Sequence, residues 1–208
     1  MTGASPPDDR SGGDARIETI LIVDDEPDIA ELFAEWLTDE YEVHVVHGGT
    51  EALERCDDTI DIVLLDRRMP TPDGDEVLST LTERGYDGHV VMVTAVEPDF
   101  DIIDLGFDDY LLKPASRADL LGVVDSLAKR DRYGERVVEL FGAISKRAHL
   151  QAHKPDAALA ENEAYQALED RIETLERETQ TLALSMDGTE AAAVLRDVTG
   201  QRTEAERE

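Results

Sequence analysis

The stretch 61-DIVLLDRRMPTPDG-74 joins two patterns that conflict. Ile62 to Leu65 is an unbroken apolar run of the length and kind that forms a strand buried on both faces. It stops on a carboxylate, Asp66, followed by two arginines, whose side chains read as facing solvent or a partner, and then by Met69 and Pro70. Burying a charge without a partner is costly. A strand that delivers Asp66 to its end therefore needs something else in the chain to meet it there.

Working outward, short apolar runs alternate with amphipathic stretches from Ile17 to Arg130. Strands are expected at 19–23 (TILIV), 42–47 (EVHVVH), 61–65 (DIVLL), 89–95 (HVVMVTA) and 109–114 (DYLLKP). Between them, helical periodicity covers 27–39, 48–56, 74–85 and 99–106, and a closing helix covers 116–130 with Ser116 as its N-cap. Strands alternating with helices in a chain this short imply an α/β fold, a doubly wound five-stranded parallel sheet of flavodoxin-like type. Reactive groups in such sheets gather at the carboxyl ends of the strands, beside a topological switch point.

Those ends hold Asp24, Asp25 and Glu26 after the first strand, Asp66 after the third, Thr94 in the fourth and Lys113 in the fifth. Carboxylates at adjacent strand ends repel one another unless a cation offsets them. An all-oxygen donor set that also keeps waters suits Mg2+. The plainer reading of Asp24–Glu26 is helix capping before Pro27, with acids placed favourably at a helix N-terminus. Lys113 is the only lysine before Lys129 in an otherwise arginine-using chain, and its compact ammonium can pair with a carboxylate or a phosphoryl oxygen. Thr94 could donate its hydroxyl to the same oxygen, while Tyr110 taken alone reads as packing. The constellation points to phosphoryl transfer onto a carboxylate, with Asp66 as the best nucleophile.

Residues 17–130 resemble the receiver domain of two-component response regulators. ILIVDDEPDI is similar to the family's acidic-pocket strand, VLLDRRMPTPDG to its phospho-acceptor strand and loop, and GFDDYLLKP to its final strand. The resemblance implies Asp66 as phospho-acceptor and Asp24, Asp25, Asp66 and the backbone carbonyl of Arg68 as Mg2+ ligands. It further implies Thr94 and Tyr110 as switch residues, Lys113 as the phosphate-binding lysine and a sensor histidine kinase as donor. Such a protein is not an enzyme beyond its own phosphorylation and dephosphorylation at Asp66. The stretch from Thr94 to Lys113 is shorter than the family's, mostly in the fourth helix, which belongs to a common dimer surface there. Two other readings stand beside this one. Phosphohydrolases of related fold also use an aspartate nucleophile, but typically with a second acid two residues on, where this chain has Arg68. A pseudo-receiver interaction module would lack the complete site.

The chain has 208 residues, 49 acidic against 20 basic, a net charge of -29, and a single cysteine, so no internal disulfide. Such an acidic, lysine-poor composition keeps a surface hydrated in concentrated salt and points to a halophile. No apolar run is long enough to span a membrane, and 1–16 has no apolar signal core, so a cytoplasmic protein with disordered tails at 1–16 and 186–208 is expected. Basic residues outnumber acids only around 129–154. Residues 131–185 resemble the HalX domain found behind receivers in halophilic archaea, through SKRAHL and the Asn162–Tyr165 pairing. Val137, Phe141, Ile144 and Ala148, then Tyr165, Leu168, Ile172, Leu175, Thr179 and Leu182, run at three-four spacing. That is the seam of a helical hairpin or coiled coil, broken at Pro155, and it suits a homodimer or helical partner through 131–185. The basic island leaves direct DNA binding open, but no helix-turn-helix pattern is legible and the net charge opposes it.

Overall fold

The computed structural model describes residues 17–96 and 105–186. Five parallel strands, β1 (Thr19–Val23), β2 (Glu42–Val46), β3 (Ile62–Asp66), β4 (His89–Thr94) and β5 (Asp109–Leu112), form one sheet in the order β2-β1-β3-β4-β5. The order reverses between β1 and β3, so the carboxyl ends of those two strands flank the switch point. Register fixes what meets there. Val23 pairs with Leu65, and Asp66 pairs with Val93, one residue before Thr94.

Helices α1 (Pro27–Leu37), α2 (Gly49–Arg55) and α3 (Gly74–Glu83) lie between the strands, each within two residues of its expected ends. The expected helix at 99–106 and the tails 1–16 and 187–208 fall outside the described residues. All five residues of β3 are buried, which is why its sequence runs apolar without alternating. Leu21, Val23, Val63 and Leu65 pack with Val77, Leu78 and Leu81 of α3 in one core. Helix α3 starts in a complete capping box: Asp73 accepts from the Glu76 N–H at 2.9 Å, and Glu76 reaches back to the Asp73 N–H at 3.1 Å. It stops at Gly85, whose φ of 72° is the left-handed conformation that a helix C-terminus commonly uses.

Gly74 settles the loop behind Asp66. Its N–H donates to the Arg67 carbonyl at 3.1 Å, and an added Cβ would lie 2.3 Å from the Asp66 carbonyl oxygen. The glycine is thus needed for close approach of two backbones, not only to let α3 begin.

Two compact units are present, Ile17–Leu127 and a second beginning at Ala128. The closing helix does not end near Arg130. It continues as α4 (Arg117–His153), 37 residues without a break, because no proline intervenes before Pro155 and the glycines at 122, 134 and 142 do not interrupt it. In the second unit α5 (Asp156–Ala160) and α6 (Glu163–Ser185) follow, with Asn162 capping α6 through the Tyr165 N–H at 3.0 Å. The α6 seam behaves as its spacing predicts: Ile172 and Leu175 are buried, with Leu168 packed beside them. The expected α4 seam is corrected. Leu140, Ala143 and Ile144 face α6, whereas Phe141 is 60% exposed and Ala148 is also exposed. Two apolar stripes run along this helix, and the sequence pattern alone could not say which of them α6 covers. No described helix is long and apolar enough to cross a membrane.

Replacing Gly74 by alanine drives a methyl into the backbone of Asp66 and Arg67, which cannot yield as a flexible side chain could. We expect Gly74→Ala to lower the unfolding free energy of the first unit by about 1–3 kcal/mol, the usual cost of overpacking. Urea denaturation measures it.

Candidate functional site

Backbone geometry assembles the site. Strand β3 ends on Asp66, which is 5% exposed; β1 hands over to Asp24, 2% exposed, and then to the half-buried Asp25. One carboxylate oxygen from each of Asp24, Asp25 and Asp66 lies within 4.8 Å of the others. At such a separation each pair of charges repels by about 3 kcal/mol for an effective dielectric near 20. Lys113, just past β5, supplies the opposing charge. Its Nζ is 2.7 Å from Asp24 Oδ2, 3.2 Å from Asp66 Oδ2 and 3.9 Å from Glu26 Oε1.

Thr94 is fully buried at the end of β4, and its carbonyl accepts from the Lys113 N–H at 2.8 Å. That bond ties the ends of β4 and β5 together on the side where Lys113 turns toward the acids. The peptide bond between Lys113 and Pro114 is cis. Tyr110, which from sequence alone read as packing, is half-buried; its hydroxyl donates to the Val96 carbonyl at 2.7 Å, and its ring tilts against Phe107 at 5.6 Å. It lies on β5 beside the segment after Thr94, not in contact with the carboxylates by any hydrogen bond. The Arg68 N–H donates to Asp66 Oδ1 at 3.2 Å, while the Arg68 side chain is exposed.

Sequence reasoning gave the two arginines no role beyond facing solvent or a partner. For Arg67 that is corrected. Its side chain is 5% exposed, and its Nε donates to both oxygens of Asp75 at 3.0 and 3.1 Å. The pair ties the residue after Asp66 to the first turn of α3, alongside the Gly74 contact. Spacing alone hints at it, since Asp75 follows the helix start, but only the turn brings residues 67 and 75 together. A second missed residue is His47, whose ring Nδ1 is 3.1 Å from the Asp24 carbonyl oxygen.

Burial pushes the Asp66 carboxyl above the usual carboxylate range; Lys113 and the Arg68 N–H pull it down without cancelling the effect. Burial also pulls Lys113 down, yet its hydrogen bond to Asp24 and the charges of Asp24 and Asp66 outweigh that and raise it. One ion-pair network thus makes its acid harder to ionise and its base harder to neutralise. Lys113 Nζ lies 3.2 Å from Asp66 Oδ2, and its charge offsets only part of what burial costs the ionised Asp66 carboxyl. Three carboxylates and one ammonium leave about two net negative charges. An all-oxygen set with that surplus fits a hard divalent cation such as Mg2+.

The family model described as the response regulator receiver domain matches residues 20–125, and the HalX domain model matches 129–195. A Haloferax volcanii protein named as a candidate transcriptional regulator is 43% identical over 162 residues, which is 77% of this chain and 28% of that protein. The transcriptional regulatory protein CpxR of Escherichia coli strain K12 is 36% identical over 121 residues, 56% of this chain and 52% of CpxR. The chain therefore spans at most about half the length of these two relatives. Among solved structures, the Thermotoga maritima response regulator DrrB superposes with a TM-score of 0.51 at 25% identity, covering 56% of this chain and 55% of DrrB. The CheX-CheY-BeF3-Mg+2 complex of Borrelia burgdorferi contains a chain that superposes at 0.50 with 29% identity, covering 53% of this chain and 88% of that one.

A carboxyl whose folded pKa is raised stabilises the fold below its unfolded pKa, and that contribution is lost as pH rises through the folded value. In EDTA, Asp66→Asn should therefore be more stable than the parent at neutral pH. The gap should close below the ordinary carboxylate range, where Asp66 is protonated in both states. Chemical denaturation at the two pH values checks both the sign and the window.

Proposed function

Because this chain belongs to the response regulator receiver family, with a HalX domain behind the receiver, we propose that it accepts a phosphoryl group on Asp66 from a sensor histidine kinase and passes the signal through its C-terminal helices. The observation that carries this reading is Lys113 Nζ lying between Asp24 and Asp66, 2.7 and 3.2 Å from their carboxylates, at the carboxyl edge of the sheet. No fold-level need explains a buried ammonium and three acids there; a phosphoryl group in transfer does.

The Asp66 carboxylate oxygen attacks phosphorus while the bond from phosphorus to the donor imidazole nitrogen breaks. With the donor ring protonated at its other nitrogen, a neutral imidazole leaves, and the phosphoryl oxygens keep their charge. Asp24, Asp25, Asp66 and the Arg68 carbonyl would hold Mg2+, which when bound supplies positive charge for the phosphoryl oxygens. Lys113 is then free to shift its hydrogen bond from Asp66 to a phosphoryl oxygen. Thr94 offers its hydroxyl from the neighbouring strand end. Tyr110 reports the change, since its hydroxyl holds the Val96 carbonyl two residues beyond Thr94. Two states of this segment, biased by the phosphoryl group, would be a population shift.

For the output we propose self-association through α4. Gly134, Val138, Phe141, Ser145, Ala148 and Ala152 follow one another at four-three spacing on the side of α4 away from Leu140 and Ala143. Val138 and Phe141 are 57% and 60% exposed. An uncharged stripe five turns long is conspicuous in a chain with 33% charged residues, and four-three spacing is the pattern of a helix–helix seam.

Incubated with acetyl phosphate and Mg2+, the parent chain should take up one phosphoryl group, and Asp66→Asn should take up none. Label on the Asp66→Asn protein would reject the assignment. In sedimentation, Phe141→Asp should run as a monomer at concentrations where the parent runs as a dimer; a parent that is monomeric in both phosphorylation states rejects the α4 seam.

A further inference from the structure

At one end of the C-terminal hairpin the facing surfaces of α4 and α6 change from apolar to basic. Above it, Leu140, Ala143 and Ile144 meet Leu168, Ile172 and Leu175. Below it, Arg132 and Arg136 of α4 face Thr174, Arg177 and Glu178 of α6 across a cleft of about 490 Å3, with Leu182 as an apolar wall. Three guanidiniums against one carboxylate is the reverse of the composition of a chain with 49 acids and 20 bases. The acids of α6 at Glu173 and Glu176 do not line the cleft.

The arginines are incompletely used by the protein. Arg136 is paired, with Glu139 at 3.1 Å and with Glu178 at 3.4 Å. Arg132 donates Nε to the Ala128 carbonyl at 3.1 Å, and Arg177 donates to the Thr174 hydroxyl at 3.3 Å. Neither has a carboxylate partner among the described residues. Glu178, the one acid of the lining, has its Oε2 buried and held by Arg136 Nε at 3.4 Å, so it does not compete for Arg132 or Arg177.

We propose that this cleft binds a mononucleotide. Guanidinium forks match phosphate geometry, so the phosphate belongs between Arg132 and Arg177. The Thr181 hydroxyl, which also lines the cleft, meets the sugar, and Leu182 packs against the base. The cleft is larger than a bare phosphate needs and falls within the usual range for small-ligand sites. The net charge of -29 opposes an anion only at long range; at about 1 M salt the Debye length is about 3 Å, which leaves direct contacts standing.

The test uses the full-length Asp66→Asn protein without divalent cations, so that the receiver site contributes nothing. Calorimetric titrations with AMP, inorganic phosphate and adenosine separate the parts of the ligand. AMP should saturate at one per chain, more tightly than phosphate or adenosine. Adding Arg132→Gln with Arg177→Gln should weaken AMP about tenfold or more, as loss of charge-assisted hydrogen bonds does. Thr181→Val should weaken AMP and leave phosphate unchanged. Arg177→Gln alone, at an exposed side chain, keeps the test decisive if the double variant loses helix content by circular dichroism. AMP that fails to saturate, or that binds parent and arginine variants equally, overturns the proposal.

Discussion

Everything at the edge of the receiver sheet depends on one constraint: three carboxylates must be held close enough to act together while repelling one another. Only Lys113 among the described residues reaches in with an opposing charge, and it comes from the far side of the sheet, 89 residues along the chain from Asp24. The fold tolerates the cluster because the strands that present it are locked by buried apolar packing, which is insensitive to charge. The sheet supplies the stability, and the site draws on it.

The loop behind Asp66 is held by two devices of different kinds. Gly74 brings backbone against backbone, and the Arg67–Asp75 pair binds side chain to side chain. Both fix the turn that places the Arg68 N–H on Asp66. This turn therefore has little freedom to move independently of the acceptor. Tyr110 is placed differently. Its hydroxyl is spent on a single carbonyl, at Val96.

The C-terminal hairpin shows how one helix can carry two apolar stripes and one basic end. Its covered stripe is closed by Ile172 and Leu175, its uncovered stripe presents Phe141, and its arginines line a cleft. Each feature places a different demand on α4, and together they account for a helix whose hydrophobic pattern is not a single clean face.

The element order and the cluster of acids and lysine at the strand ends were legible in the sequence. Buried parallel strands leave unbroken apolar runs, and an acid or a lone lysine at the end of such a run has no packing reason to be there. Asp24, Asp25, Asp66 and Lys113 could be named for that reason, and the structure brings those four together. Tyr110 could not be separated from ordinary packing by composition, because a tyrosine in a strand is common and its hydrogen bond partner is set by the fold. Arg67 was misread because paired arginines on a loop look solvated until a turn folds Asp75 back onto one of them. Likewise, periodicity marked two stripes on α4 as apolar, but coverage is a property of the partner helix. The sequence determined by itself which residues could carry charge, nucleophile and seam, since those follow from residue type and local period. Only the tertiary structure decided which of them meet, because sheet order, turn geometry and helix pairing bring together groups that the chain holds far apart.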